Sequence, residues 1–210
     1  MTISDKNTLR FCILADRMMN RGYFKVPFKR RIINFFNPDY IMLFLEAMRK
    51  VQYYTNRNNK VGGGILLHYY KLKFFKLSRK LGFSVGYNVF DYGLVIPHYG
   101  TIVVGNTNRV GPYAVLHTST CITDKGRRIG KGLSLSTGAK ITGGEILGDN
   151  VVVAANSVVT KSFLDGNVLL VGMPAIVKKY IPDWYSSLDS ETKRRVDAIE
   201  KLKIEMRIYE

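Results

Sequence analysis

The chain has 210 residues, enough for one domain with or without a helical extension, and its 46% hydrophobic and 23% charged content is that of a globular protein. Thirty-two Lys and Arg against sixteen Asp and Glu leave a net charge of +16, which favours anionic partners: nucleic acid, an acidic membrane surface or a phosphate-rich small molecule. No apolar run approaches the ~20 residues that span a bilayer, the N-terminal stretch lacks a signal-peptide layout, and Cys12 and Cys121 have neither disulfide nor metal-ligand spacing, so the reading is a cytoplasmic protein with no metal.

The positive charge is densest at "FKRR" (28–31), "KLKFFKLSRK" (71–80) and "KGRR" (125–128). "NPDYIMLFLEAMRKVQYY" (37–54) has Pro and Asp at its start and good helix formers after them, which predicts a helix. "GGGILLHYYKLKFFKLSRKLGF" (62–83) predicts a glycine loop followed by a basic, aromatic helix. His68 lies among Leu67, Tyr69 and Tyr70 and reads as packing or surface.

The middle of the chain is a repeat. From Ile129 an aliphatic residue returns at every sixth position, at Leu135, Ile141, Leu147, Val153 and Val159. The same step runs backwards through Ile122, Leu116, Val110 and Val104, with one extra residue between Ile122 and Ile129. It continues to Ile96 and Phe90, with two extra residues between Ile96 and Val104. Small residues recur two positions before the aliphatic one, as at Ala114, Ala139 and Ser157. Helices repeat at three and four and strands at two, so a six-step pattern fits neither. It fits a β-solenoid with three short flat sides per coil and an inward column of Ile, Val and Leu. The C-terminal stretch from Ser190, with apolar Val196, Ile199, Leu202 and Ile204 among many charges, predicts a final helix. The expected organisation is an N-terminal helical region (1–82), the solenoid (83–177) and a C-terminal helical extension (178–210).

Successive coils of one side read Ile96-Pro97-His98, Leu116-His117-Thr118, Leu135-Ser136-Thr137 and Val153-Ala154-Ala155. Two of the three histidines, His98 and His117, therefore meet on neighbouring coils, about 5 Å apart along the stack. The extra residues after His98 predict a bulge, and bulges re-aim side chains at sites. Asp91 is a candidate to orient a histidine, with a solvated corner as its plainer reading.

The segments "GLVIPHYGTIVVGNTNRVG", "RRIGKGLSLSTGAKITGGEILGDNVVVAANSVVTKSF" and "VGMPAIVKK" resemble the hexapeptide-repeat acyltransferases of left-handed β-helix fold, in their serine acetyltransferase-like branch. A left-handed coil is an exception to the usual right-handed crossover. The resemblance implies acetyl transfer from acetyl-CoA to a hydroxyl in a homotrimer, with each site between adjacent solenoids. His98 stands at the position of the family's general base, a task suited to an imidazole, and His117 is a second catalytic candidate. Thr137, Ala139 and Ala155 match positions along which the pantetheine arm of CoA lies, and Lys178 and Lys179 would meet its phosphates. Tyr99, Asp124 and Arg127 are the candidate acceptor contacts.

The departures from the serine enzymes point to another acceptor. Pro97 stands where an Asp precedes their base, and the upstream orienting Asp falls on Phe83 or Ser84. The loop that carries a second histidine in those enzymes is shortened to "TDKGRR" (123–128). The pattern looks more like O-acetyltransferases of capsule, lipopolysaccharide or exopolysaccharide sugars. Their acceptors are often anionic or held at the membrane face, which suits +16 and implies peripheral membrane association through the basic helix at 65–80. The alternatives are a serine O-acetyltransferase and a non-catalytic basic scaffold; no specific nucleic-acid module is found.

Overall fold

The computed structural model describes residues 1–56, 63–182 and 190–208. The helical region opens with α1 (Lys6–Arg21), whose start is fixed by Asp5: its carboxylate accepts the N–H groups of Asn7 and Thr8 at 2.7 and 2.9 Å. Gly22 ends it in the left-handed conformation, φ 75°. After Pro27 comes the short α2 (Phe28–Phe36), which buries none of its residues. The helix expected at 37–54 is α3 (Tyr40–Thr55), begun by Asp39, which accepts the Met42 N–H at 3.2 Å and holds Arg21 at 2.6 and 2.8 Å. The glycine loop expected from Gly62 does not extend as far as anticipated: Gly62 lies outside the described residues, and Gly63 and Gly64 already belong to α4 (Gly63–Leu81).

Five coils follow, with three parallel sheets as their sides. One side stacks β1 (Phe83–Val85), β2 (Ile102–Val104), β5 (Thr120–Ile122), β8 (Lys140–Ile141) and β11 (Val158–Val159). The second stacks β3 (Arg109–Val110), β6 (Arg128–Ile129) and β9 (Ile146–Leu147), with Phe90 and Phe163 pairing singly at its ends. The third stacks β4 (Val115–Leu116), β7 (Ser134–Leu135), β10 (Val151–Val153) and β12 (Val168–Gly172), begins at Val95, and is closed by the antiparallel β13 (Ala175–Tyr180). All the aliphatic repeat positions and Phe90 are at most 5% exposed, so the six-step pattern is the inward column itself. The small residues two positions earlier, Ala114, Ala139 and Ser157, are also buried, where a larger side chain would crowd the column.

The helices seal the open first coil. Arg49 of α3, only 1% exposed, donates to both oxygens of the buried Asp16 of α1 at 2.7 and 3.0 Å. The same guanidinium donates to the carbonyls of Phe90 and Asp91 at 2.7 and 2.6 Å, and Asp16 accepts the N–H of Leu94 at 3.0 Å. Two helices and the first coil thus meet at one ion pair. The last helix, α5 (Ser190–Glu205), returns to α1 and buries Val196 and Ile199 beside Phe11, Met19, Tyr92 and Tyr113. Ile204, expected on that apolar face, is 79% exposed: it lies five residues after Ile199, off the buried stripe.

Candidate active site

The two extra residues before Val104 are visible in the register. Val95 pairs with Val115 and Ile102 with Thr120, so seven steps in the first coil oppose five in the second. His98, Tyr99 and Gly100 form the resulting outward bow, and His98 and Tyr99 are exposed. Helices hold the bow at both ends. On one side Asn20 of α1 completes the free strand edge, donating to Leu94 C=O at 2.7 Å and accepting Ile96 N–H at 3.1 Å. On the other, Gly100 N–H donates to Leu81 C=O at 2.9 Å and Ile102 N–H to Gly82 C=O at 3.2 Å. Gly100 has φ 141°, and a Cβ there would stand 3.1 Å from Thr118 Cγ2. Asn20 was missed from the sequence, because nothing local marks an asparagine near a helix end as the partner of a strand 74 residues on.

His117 lies beside this bow on the next coil, half-buried. Its N–H donates to Leu135 C=O at 3.0 Å and its C=O accepts the buried Thr120 hydroxyl at 2.8 Å, so its backbone is fixed on both sides. Burial, and secondly the nearby charge of His98, hold its pKa below the ordinary imidazole value of 6.5. A pKa on that side of 6.5 keeps His117 mostly neutral near pH 7. Below them Thr118, Thr137 and Ala155 form a column of small residues, linked through Gly138 N–H to Thr118 C=O and Asn156 N–H to Thr137 C=O, both at 3.0 Å. The exposed Thr137 and Ala155 leave this edge open to an extended ligand.

The other expected residues divide. Lys178 and Lys179 are exposed on β13, Lys178 at the register shift, at the far end of the side that carries His117. Four strand spacings separate β4 from β13, or about 19 Å. Ala139 is fully buried and belongs to the core rather than to a ligand surface. Arg127 is 1% exposed; it donates to the carbonyls of Thr123 and, at 3.3 Å, Gly143, so it braces the loop instead of reaching a substrate. Asp124 is exposed but accepts the N–H of Thr107 at 2.8 Å and its hydroxyl, and those bonds hold its carboxyl below the usual range. Asp91 has its carboxylate on the Met1 amino group at 2.7 Å and on Tyr92 N–H at 2.8 Å, not on His98. Tyr99 is 75% exposed beside His98. His68 is on the exposed side of α4.

No family model matches the sequence. Among solved structures the chain is similar to the serine acetyltransferase of Brucella abortus strain S19, with 22% identity over 83% of this chain and 69% of that one, TM-score 0.57. It is also similar to the soybean serine acetyltransferase apoenzyme, with 18% identity over 81% and 69%, TM-score 0.59. A serine acetyltransferase in complex with CoA matches at 19% identity over 81% and 68%, TM-score 0.54. The chain therefore has the fold of these enzymes, the hexapeptide-repeat left-handed β-helix with helices before and after it.

Proposed function

We propose that this chain is an acetyl-CoA-dependent O-acetyltransferase with His98 as general base. The observation that carries the reading is the pair of imidazoles at a two-residue bulge, above an open column of small residues on the same edge. An acceptor hydroxyl attacks a thioester carbonyl poorly until its proton is withdrawn. His98 takes that proton as the C–O bond forms, and the tetrahedral intermediate then breaks its C–S bond. The proton passes from the imidazolium to the departing thiolate, and His98 returns to its neutral state. His117, neutral and fixed through its backbone, orients the reacting hydroxyl or the base. Thr137 and Ala155 admit the pantetheine arm, and Lys178 and Lys179 meet the CoA phosphates. The CoA complex of a similar enzyme supports acetyl-CoA as co-substrate, and a homotrimer with sites between adjacent solenoids is part of the proposal.

For the acceptor, the similar structures are serine acetyltransferases, and this supports L-serine ahead of the sugar hydroxyl to which the sequence pattern pointed. One observation favours a sugar. Pro97 occupies the place before the base, where the serine enzymes that the sequence resembles carry an Asp. The test is release of CoA thiol from acetyl-CoA with L-serine and, separately, with nucleotide sugars and oligosaccharides followed by mass. Sustained turnover of L-serine establishes the serine reading; an acetyl mass gain confined to a sugar replaces it. Failure to bind acetyl-CoA at all would favour the basic scaffold.

A further inference from the structure

We propose that α2 is an interfacial anchor that lies in the surface of an anionic membrane. Its sequence, "FKRRIINFF", places Phe28, Ile32, Phe35 and Phe36 on one face, and these are 75, 49, 81 and 81% exposed. A nine-residue helix is marginal in water without a buried face, and none of the residues of α2 is buried against the rest of the chain. An apolar face of this size on a short helix has the form of an interfacial helix. Among the described residues no helix is long and apolar enough to cross a membrane, so the mode is lying on the surface.

Charge chooses the occupant. From Arg17 to Phe36 there are six basic residues and no carboxylate. Over residues 1–82 the counts are seventeen basic and four acidic, which places +13 of the +16 in the helical region. Three of those four acids, Asp16, Asp39 and Glu46, are already paired with Arg49, Arg21 and Lys50. A second copy of the chain would bring the same positive charge to the contact, whereas an anionic bilayer complements it. A cleft of about 510 Å³ between α1 and α2, lined by Arg17, Lys25 and Arg31 together with apolar Leu14, Phe24 and Val26 and with Phe35 of the inserted face, gives lipid phosphates a place beside that face. The sequence had put membrane contact on the helix at 65–80; α4 exposes Ile65, Tyr69 and Leu72 but packs Leu67, Phe74 and Leu77 into the core, whereas α2 has no buried residue.

The test is co-sedimentation with vesicles of phosphatidylcholine alone and with equal parts of phosphatidylglycerol, at low and high salt. The wild-type chain is expected to bind the anionic vesicles and to be released by salt. Phe35→Ser with Phe36→Ser, and separately Lys29→Gln with Arg30→Gln, should each weaken binding by about tenfold or more. These positions are exposed, and unchanged circular dichroism would confirm folding. Equal binding to neutral vesicles, or none to anionic ones, overturns the proposal. So does an oligomer in light scattering that Phe35→Ser with Phe36→Ser breaks into smaller species while vesicles bind neither form, because a second copy then covers the face.

Discussion

In the solenoid, six consecutive repeat positions from Ile129 to Val159 are all at most 5% exposed, whereas none of the nine residues of α2 is buried. The two regions reach stability by different means. The coils depend on a column of equivalent contacts, each coil touching its neighbours, so their order is written as a period in the sequence. The helical region has an aperiodic apolar core, with Phe44, Leu45, Met48, Phe74 and Leu77 buried against the first coil. It adds single, long-range polar links such as Arg49–Asp16 and Asn20 to the first strand, while its outer surface is open and positively charged. The candidate site sits at the junction: the solenoid supplies the histidines, and the helices fix the bow that displays His98.

The largest expected effect is chemical. His98→Ala should lower kcat/KM by about 10²–10⁴, the range for a lost general base, with circular dichroism and melting temperature unchanged because the side chain is exposed. Transfer at the wild-type rate on a confirmed acceptor would remove His98 from the mechanism and leave the bow as a structural irregularity.

The next effect tests the helical region. Arg49→Met leaves Asp16 buried without its ion-pair partner, takes the guanidinium donor from the Asp91 carbonyl and leaves the Phe90 carbonyl with Gln52 Nε2 at 3.5 Å. A cost of about 3–5 kcal/mol is expected, a fall of about 10 °C in Tm for a chain of this size. Ile141→Ala, at a fully buried column position, should cost about 2–5 kcal/mol by the cavity it leaves. If Arg49→Met melts at the wild-type temperature, the polar links are not what holds the helices to the coil.

What the sequence made legible follows the same division. The solenoid, its sides and the bulge at His98 could be read because each stacked position repeats its chemistry. The burial of Arg127 was not legible, because a repeat says which residues face inward but not which long side chain folds back. Arg127, in "KGRR", read as a candidate acceptor contact, yet its guanidinium turns under the chain to the carbonyls of Thr123 and Gly143. Asn20 and Arg49 had no local signal, since their partners lie 74 and 33 residues away.

A smaller effect is expected at the junction. Gly100→Ala forces an L-residue to φ 141° and brings its Cβ to 3.1 Å from Thr118, where a neighbour must shift by a few tenths of an ångström. About 1–3 kcal/mol of stability should be lost, read by denaturant unfolding, together with a lower kcat as His98 moves with the bow. Loss of stability with kcat intact would show that the bow does not position the base.

The smallest effect is the most specific to the histidine pair. Burial and the neighbouring His98 both depress the His117 pKa, burial being the larger cause. In His98→Gln only the second cause is removed, so the His117 midpoint seen by NMR should rise yet stay below 6.5. The same shift has a sign for folding. Below pH 6.5 the unfolded chain takes up this proton more readily than the folded one, so this contribution is complete above 6.5 and is lost as the pH falls. His98→Gln should therefore reduce the acid sensitivity that His117 contributes. An unchanged His117 midpoint in that variant would mean that the two imidazoles do not share a site, and the pairing on which the proposed chemistry rests would fail.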